Sequence, residues 1–119
     1  MRLLESLLLD RVADPDYVGE DDRPTTATVD RSRDIITQLR DKDAAEAEIG
    51  FFAGEIHIDW EDSDRHVIAM VIGQSLKVYW SRLENKRVIE SGCKGATVQE
   101  LNERLDWMRE GKGNTDSPK

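Results

Sequence analysis

"FFAGEIHIDWEDSDRHVIAMVIGQSLKVYWS", residues 51 to 81, sets the architecture of this chain. Glu55, His57 and Asp59 alternate with Ile56, Ile58 and Trp60. A period of two is that of a strand with one buried face. "HVIAMVI", residues 66 to 72, is apolar at every position after the histidine, which places it at the centre of a sheet with both faces shielded. In "SLKVYWS", 75 to 81, Leu76, Val78 and Trp80 alternate with Lys77 and Tyr79. The connectors "EDSDR" (61 to 65) and "GQ" (73 and 74) are short and turn-like, so the three strands form an antiparallel meander. Strands at about 47 to 52 and at 86 to 90, "KRVIE", extend it. The Ile56/Ile58/Trp60 and Leu76/Val78/Trp80 faces form the floor of the core, with Ile68, Met70 and Ile72 or their alternates between them.

Helices flank this sheet. In "RLLESLLLDRV" the leucines at 3, 4, 7 and 8 share one helical face, widened by Leu9 and Val12. Asp14-Pro15 ends that helix, because a residue before proline avoids the helical region. Residues 14 to 24, "DPDYVGEDDRP", form an acidic loop. A second helix is expected over 26 to 41. Val29, Ile35, Ile36 and Leu39 face inward, and Asp30, Arg31, Arg33, Asp34 and Arg40 are solvated. A last helix opens at Thr97, where Glu100 three residues on completes a capping box. Val98, Leu101, Leu105 and Met108 form its stripe, and Gly111 ends it ahead of a flexible tail, 111 to 119. The chain therefore reads as one α+β domain over 1 to 110. Two N-terminal helices precede an antiparallel meander of three to five strands, and a C-terminal helix packs on the sheet.

Composition narrows the function. The 119 residues carry 17 basic and 25 acidic side chains, a formal net charge of −8. That balance opposes direct binding to nucleic acid, which needs cations to displace counterions from phosphates. The N-terminal apolar run is broken by Glu5 and ended by Asp10 with no small-residue cleavage site, so it is not a signal peptide. No apolar run reaches membrane-spanning length. The single cysteine, Cys93, allows no internal disulfide. The expectation is a cytoplasmic protein without a membrane association.

Each potential chemical site has a weakness. Glu55, His57 and Asp59 share a strand face that His66 can approach, the makings of a metal or general-base cluster. Exposed strand faces commonly carry such residues. "DWEDSDRH" has the carboxylates of a calcium loop but neither its central glycine nor its distal glutamate. Cys93 in "SGCKG" lies beside Lys94 with no histidine at a telling spacing, and reads as a loop cysteine. "GCKGAT" lacks the P-loop spacing, and no G-x-S-x-G elbow is present. Trp60 and Trp80 fall on core faces, whereas Trp107 is offset from its helix stripe and is a candidate interface anchor. No cofactor and no catalytic residue is expected.

"AGEIHIDW", 53 to 60, resembles the G-G-I-x-L-E-W hairpin of small uncharacterised bacterial α+β proteins, with Ala53 for a first glycine and Asp59 for glutamate. The resemblance spans roughly residues 3 to 82. It implies an α+β fold and a small accessory protein, with no functional residues to carry over. The function expected is a small acidic non-enzymatic interaction module of the antitoxin, immunity or accessory-subunit type. It would bind a protein with a basic surface through Asp16, Glu20, Asp21, Asp22, Glu55, His57, Asp59 and Trp107. One alternative is a phage-type acidic inhibitor of a nucleic-acid-binding defence complex, an anti-CRISPR whose carboxylates imitate phosphates. A second is a small metal-dependent enzyme using His57 and His66. Apolar residues on both faces of 67 to 72 are compatible with a homodimer without requiring one.

Overall fold

The computed structural model describes the backbone of residues 3–116 and the side chains of residues 3–110. Helices α1 (Leu3–Ala13), α2 (Thr26–Thr37) and α3 (Asp41–Glu46) precede five strands. These are β1 (Glu48–Phe52), β2 (Glu55–Asp62), β3 (Arg65–Ile72), β4 (Ser75–Glu84) and β5 (Arg87–Gly95), followed by α4 (Val98–Asp116). The strands form one antiparallel meander in the order β1-β2-β3-β4-β5, with β3 central. The α+β architecture expected from the sequence is thus present, with three helices in place of two before a five-stranded meander and a C-terminal helix packed on it.

The register pairs Ile58 with Ala69 and Ala69 with Val78, and residues directly opposite point to the same face. The inner face is therefore Ile56, Ile58 and Trp60, then Val67, Ala69 and Val71, then Leu76 and Val78, all buried. On the central strand the odd-numbered residues face the core, and Ile68, Met70 and Ile72 lie on the other side. Helices α2 and α4 cross β2 and β3 on the inner side, and α1 packs on α2 and α3. Leu4, Leu8, Ile35, Ile36, Leu39, Leu101, Leu105 and Met108 complete one continuous core with the strands.

Three elements and two arginines depart from the sequence reading. The second helix stops at Thr37 instead of 41, because Arg40 is extended and N-caps a separate short helix, α3. Arg33 and Arg40, expected to be solvated, are engaged. Arg33 Nε donates to Glu5 Oε1 at 3.0 Å, and Arg40 pairs with Asp43 at 2.7 Å and Asp106 at 2.8 Å. The fifth strand runs on through "SGCKG" to Gly95, so Cys93 is a strand residue opposite Tyr79 rather than a loop cysteine. Helix α4 continues past Gly111 to Asp116. A helical glycine costs only about 1 kcal/mol against alanine, too little by itself to force an end. Of the expected tail, residues 117 to 119 lie outside the described residues.

The capping box at α4 is as expected. The Thr97 amide donates to Glu100 Oε1 and the Glu100 amide to Thr97 Oγ1, both at 3.1 Å. Lys94 Nζ lies 3.1 Å from the other Glu100 oxygen. The Lys94 hydrogen bond, then the Thr97 amide, hold the Glu100 carboxyl below its ordinary value near 4.5. A carboxyl whose folded value is depressed adds stability above its unfolded value. That stability is lost as pH falls through the folded value. Glu100→Gln is therefore expected to lower the urea midpoint at pH 7, and the gap to wild type should close as pH drops below about 4.5. A gap that persists unchanged at pH 3 would show that the charge of Glu100 plays no part.

Candidate functional site

Among the described residues nothing covers the face of the sheet opposite the helices, and the alternation of β2 and β3 decides what it displays. On β2 it carries Glu55, His57, Asp59 and Glu61, on β3 His66, Ile68, Met70 and Ile72, and on β4 Lys77 and Tyr79. Glu48 of β1 lies opposite Asp59. Ile72 is 50% exposed and Phe52, at the β1 end of the same face, is 65% exposed. An apolar row, Ile68, Met70 and Ile72, thus runs down the middle. Four carboxylates (Glu48, Glu55, Asp59 and Glu61) flank it on one side, and the single ammonium of Lys77 lies on the other. Glu46, Glu48, Asp59 and Glu61 line a recess of about 300 Å³ at the acidic margin.

The histidines are brought to this face but divided between two partners. His57 Nε2 is 3.2 Å from Glu55 Oε1, and His66 Nε2 makes a short contact with Asp59 Oδ1 across the β2–β3 pair. Each imidazole is held by one carboxylate, and the two pairs do not converge. Among the described residues no group of three or more histidine, cysteine, aspartate or glutamate side chains is placed to hold a metal ion. Cys93 is exposed on β5, two strands from His66 on β3, a separation of about 10 Å that leaves thiol and imidazole apart.

The loop carboxylates are only partly joined to this face. Asp22, in a 3-10 turn over Glu20–Asp22, accepts a hydrogen bond from the Ala53 amide at 2.8 Å, so the loop is fastened to the β1–β2 turn. Asp16, Glu20 and Asp21 are exposed. Tyr17 from the same loop meets the Phe51 ring edge-on at 6.0 Å, on the helix side of the sheet. The loop therefore borders the acidic face at one corner instead of lying across it.

Trp107 is on the opposite side of the sheet from Glu55, His57 and Asp59. It is half-buried between cations, with the Arg65 and Arg104 guanidinium carbons 4.6 and 5.0 Å from its ring centre. The sequence analysis missed two arrangements on the helix side. One is the buried Asp43 with Arg40 and Arg109, and the other is this alternation of arginine and tryptophan. The only sequence trace of either is local spacing of three residues, from the N-cap Arg40 to Asp43 and from Arg104 to Trp107 on one face of α4.

No helix among the described residues is long and apolar enough to cross a membrane. Compared with known proteins, the chain matches no family model, no curated sequence and no solved structure.

Proposed function

We propose that this chain is a non-enzymatic interaction module that docks a partner protein on its uncovered sheet face. The observation that supports the reading is the composition of that face, an apolar row edged by four carboxylates and one lysine. Such a surface is matched by an apolar ridge with a basic border. A second copy of the same face is disfavoured, since it would bring like charges together. Four inter-strand spacings of about 4.8 Å and eight residues of about 3.3 Å give the face roughly 19 by 26 Å. That is of the order of one side of a standard protein interface. An antitoxin, immunity or accessory-subunit role is the form of this reading that we propose.

The test compares tagged wild-type protein with a face variant, Met70→Glu/Ile72→Glu, and a loop variant, Asp16→Lys/Glu20→Lys/Asp21→Lys, in pull-downs from the source cell. Both sites are at the surface, so circular dichroism should be unchanged. Wild type is expected to retain a basic protein near stoichiometrically. The face variant should lose it at least tenfold, and the loop variant should keep it. Loss in the loop variant alone would sink this reading and favour the phosphate-mimic inhibitor. Absence of any partner would sink both.

A further inference from the structure

We propose that the groove between β4, β5 and α4, on the side away from the acidic face, binds a carboxylate carried on a flat apolar body. The groove has a volume of about 230 Å³, with Val78 and Ala96 in its apolar lining. Its walls are Trp80 and Trp107, and between them lies Arg104, its guanidinium carbon 4.0 Å from the Trp80 ring centre and 5.0 Å from that of Trp107. Gly92 makes this possible. A Cβ there would stand 2.2 Å from Cζ2 of Trp80, so only glycine lets the indole lie across β5.

The chemistry follows from what Arg104 lacks. Among the described residues it has no hydrogen bond and no ion pair, only the two ring contacts. A guanidinium stacked on aromatic faces is held in orientation while its in-plane N–H donors stay unused, in the fork that fits a carboxylate in two-point fashion. The surroundings reinforce the charge. Arg65 and Arg82 face each other two residues beyond the Val67–Trp80 pair, and Arg65 Nε is buried without a hydrogen bond. Glu90 Oε2, 3.4 Å from Arg82 Nε, is the one carboxylate paired there among the described residues.

Two carboxylates line the groove itself. Glu100 is neutralised by Lys94 and the cap. Glu103 is exposed and 3.5 Å from Gln99 Nε2, so it opposes an incoming anion from the rim. The volume suits one ring with its carboxylate against Arg104, and the tryptophan edges and Val78 suit the ring's apolar body.

The experiment uses the ¹⁵N-labelled full chain, whose three tryptophans give separate indole N–H signals. Benzoate, benzamide and acetate are titrated in turn. Benzoate is expected to move the Trp80 and Trp107 signals saturably and to leave that of buried Trp60 in place. Benzamide and acetate should each bind at least tenfold more weakly. Arg104→Gln should weaken benzoate at least tenfold with the Trp60 signal unchanged, and Glu103→Gln should tighten it. No saturable movement, equal binding of benzamide, or undiminished binding to Arg104→Gln would overturn the proposal. Acetate binding as well as benzoate would overturn its requirement for a flat body. Because the groove and the acidic face are on opposite sides of the sheet, failure of one reading leaves the other standing.

Discussion

Asp43→Ala is expected to lower folding stability by about 3 kcal/mol, near the bottom of the range for breaking a buried ion pair. The Asp43 side chain is fully buried. Its oxygens take Arg40 Nε at 2.7 Å and a short contact from Arg109 Nη1. Its backbone carbonyl accepts the Trp60 indole N–H at 2.7 Å. One residue thus joins α3, α4 and β2. Helix α3 has only six residues, far too few to be stable alone, so its position depends on these contacts. Removing the carboxylate leaves Asp106 to Arg40 and Glu46 to Arg109 at the surface, and takes the buried partner from both guanidinium groups. Their side chains are 38% and 20% exposed, so each still reaches some water, which is why the lower figure is the expected one.

Arg40 shows the same coupling from the other side. Its hydrogen bond to Asp43, followed by the bond and charge of Asp106, holds the guanidinium proton more tightly than usual against the opposing effect of burial. Urea unfolding at 25 °C measures the loss, and the midpoint of thermal unfolding should fall by roughly 10 °C. Adding Arg109→Met to Asp43→Ala should recover part of it, because one of the two guanidinium groups that lost their buried partner is then gone. A loss under about 1 kcal/mol would mean that the pair behaves as a surface ion pair.

Trp60→Ala is expected to cost about 4 kcal/mol, the middle of the range for deleting a large buried aromatic side chain. Trp60 is 1% exposed at the centre of the inner face, opposite Val67. The deletion leaves a cavity and also leaves the Asp43 carbonyl without its donor. Trp60→Phe separates the two effects. It keeps most of the packing and loses the hydrogen bond, for about 1 to 2 kcal/mol. Because Trp60 and Asp43 are in contact, the double variant should lose less than the two single losses combined. Strict additivity in urea unfolding would show that the Asp43 carboxylate is not needed to hold α3 against the indole, whose bond goes to the main-chain carbonyl that Asp43→Ala keeps.

The periodicities of the chain were enough to place the helices, the meander and most of the core. Alternation in 55 to 60 and 75 to 81 marks one buried face of each strand without any knowledge of its neighbours, because successive strand side chains point to opposite sides. The capping box at Thr97 and Glu100 is equally local, since its partners are three residues apart. The sequence also specified that Glu55, His57 and Asp59 share a face. It could not decide which face of "VIAMVI" points inward, because both are apolar. Register against β2 and β4 settles it in favour of Val67, Ala69 and Val71.

Only the tertiary structure decided the rest. Asp43 and Arg109 are 66 residues apart, and a carboxylate in "DKDAAE" looks like any solvated helix residue until α4 is laid over it. The sandwich of Arg104 by Trp80 and Trp107, and the need for glycine at position 92, arise where a helix and two strands meet. Local spacing dictates hydrogen bonds and faces within an element. The placement of charges and rings from different elements beside one another is set by packing, which has no short-range signature in the chain.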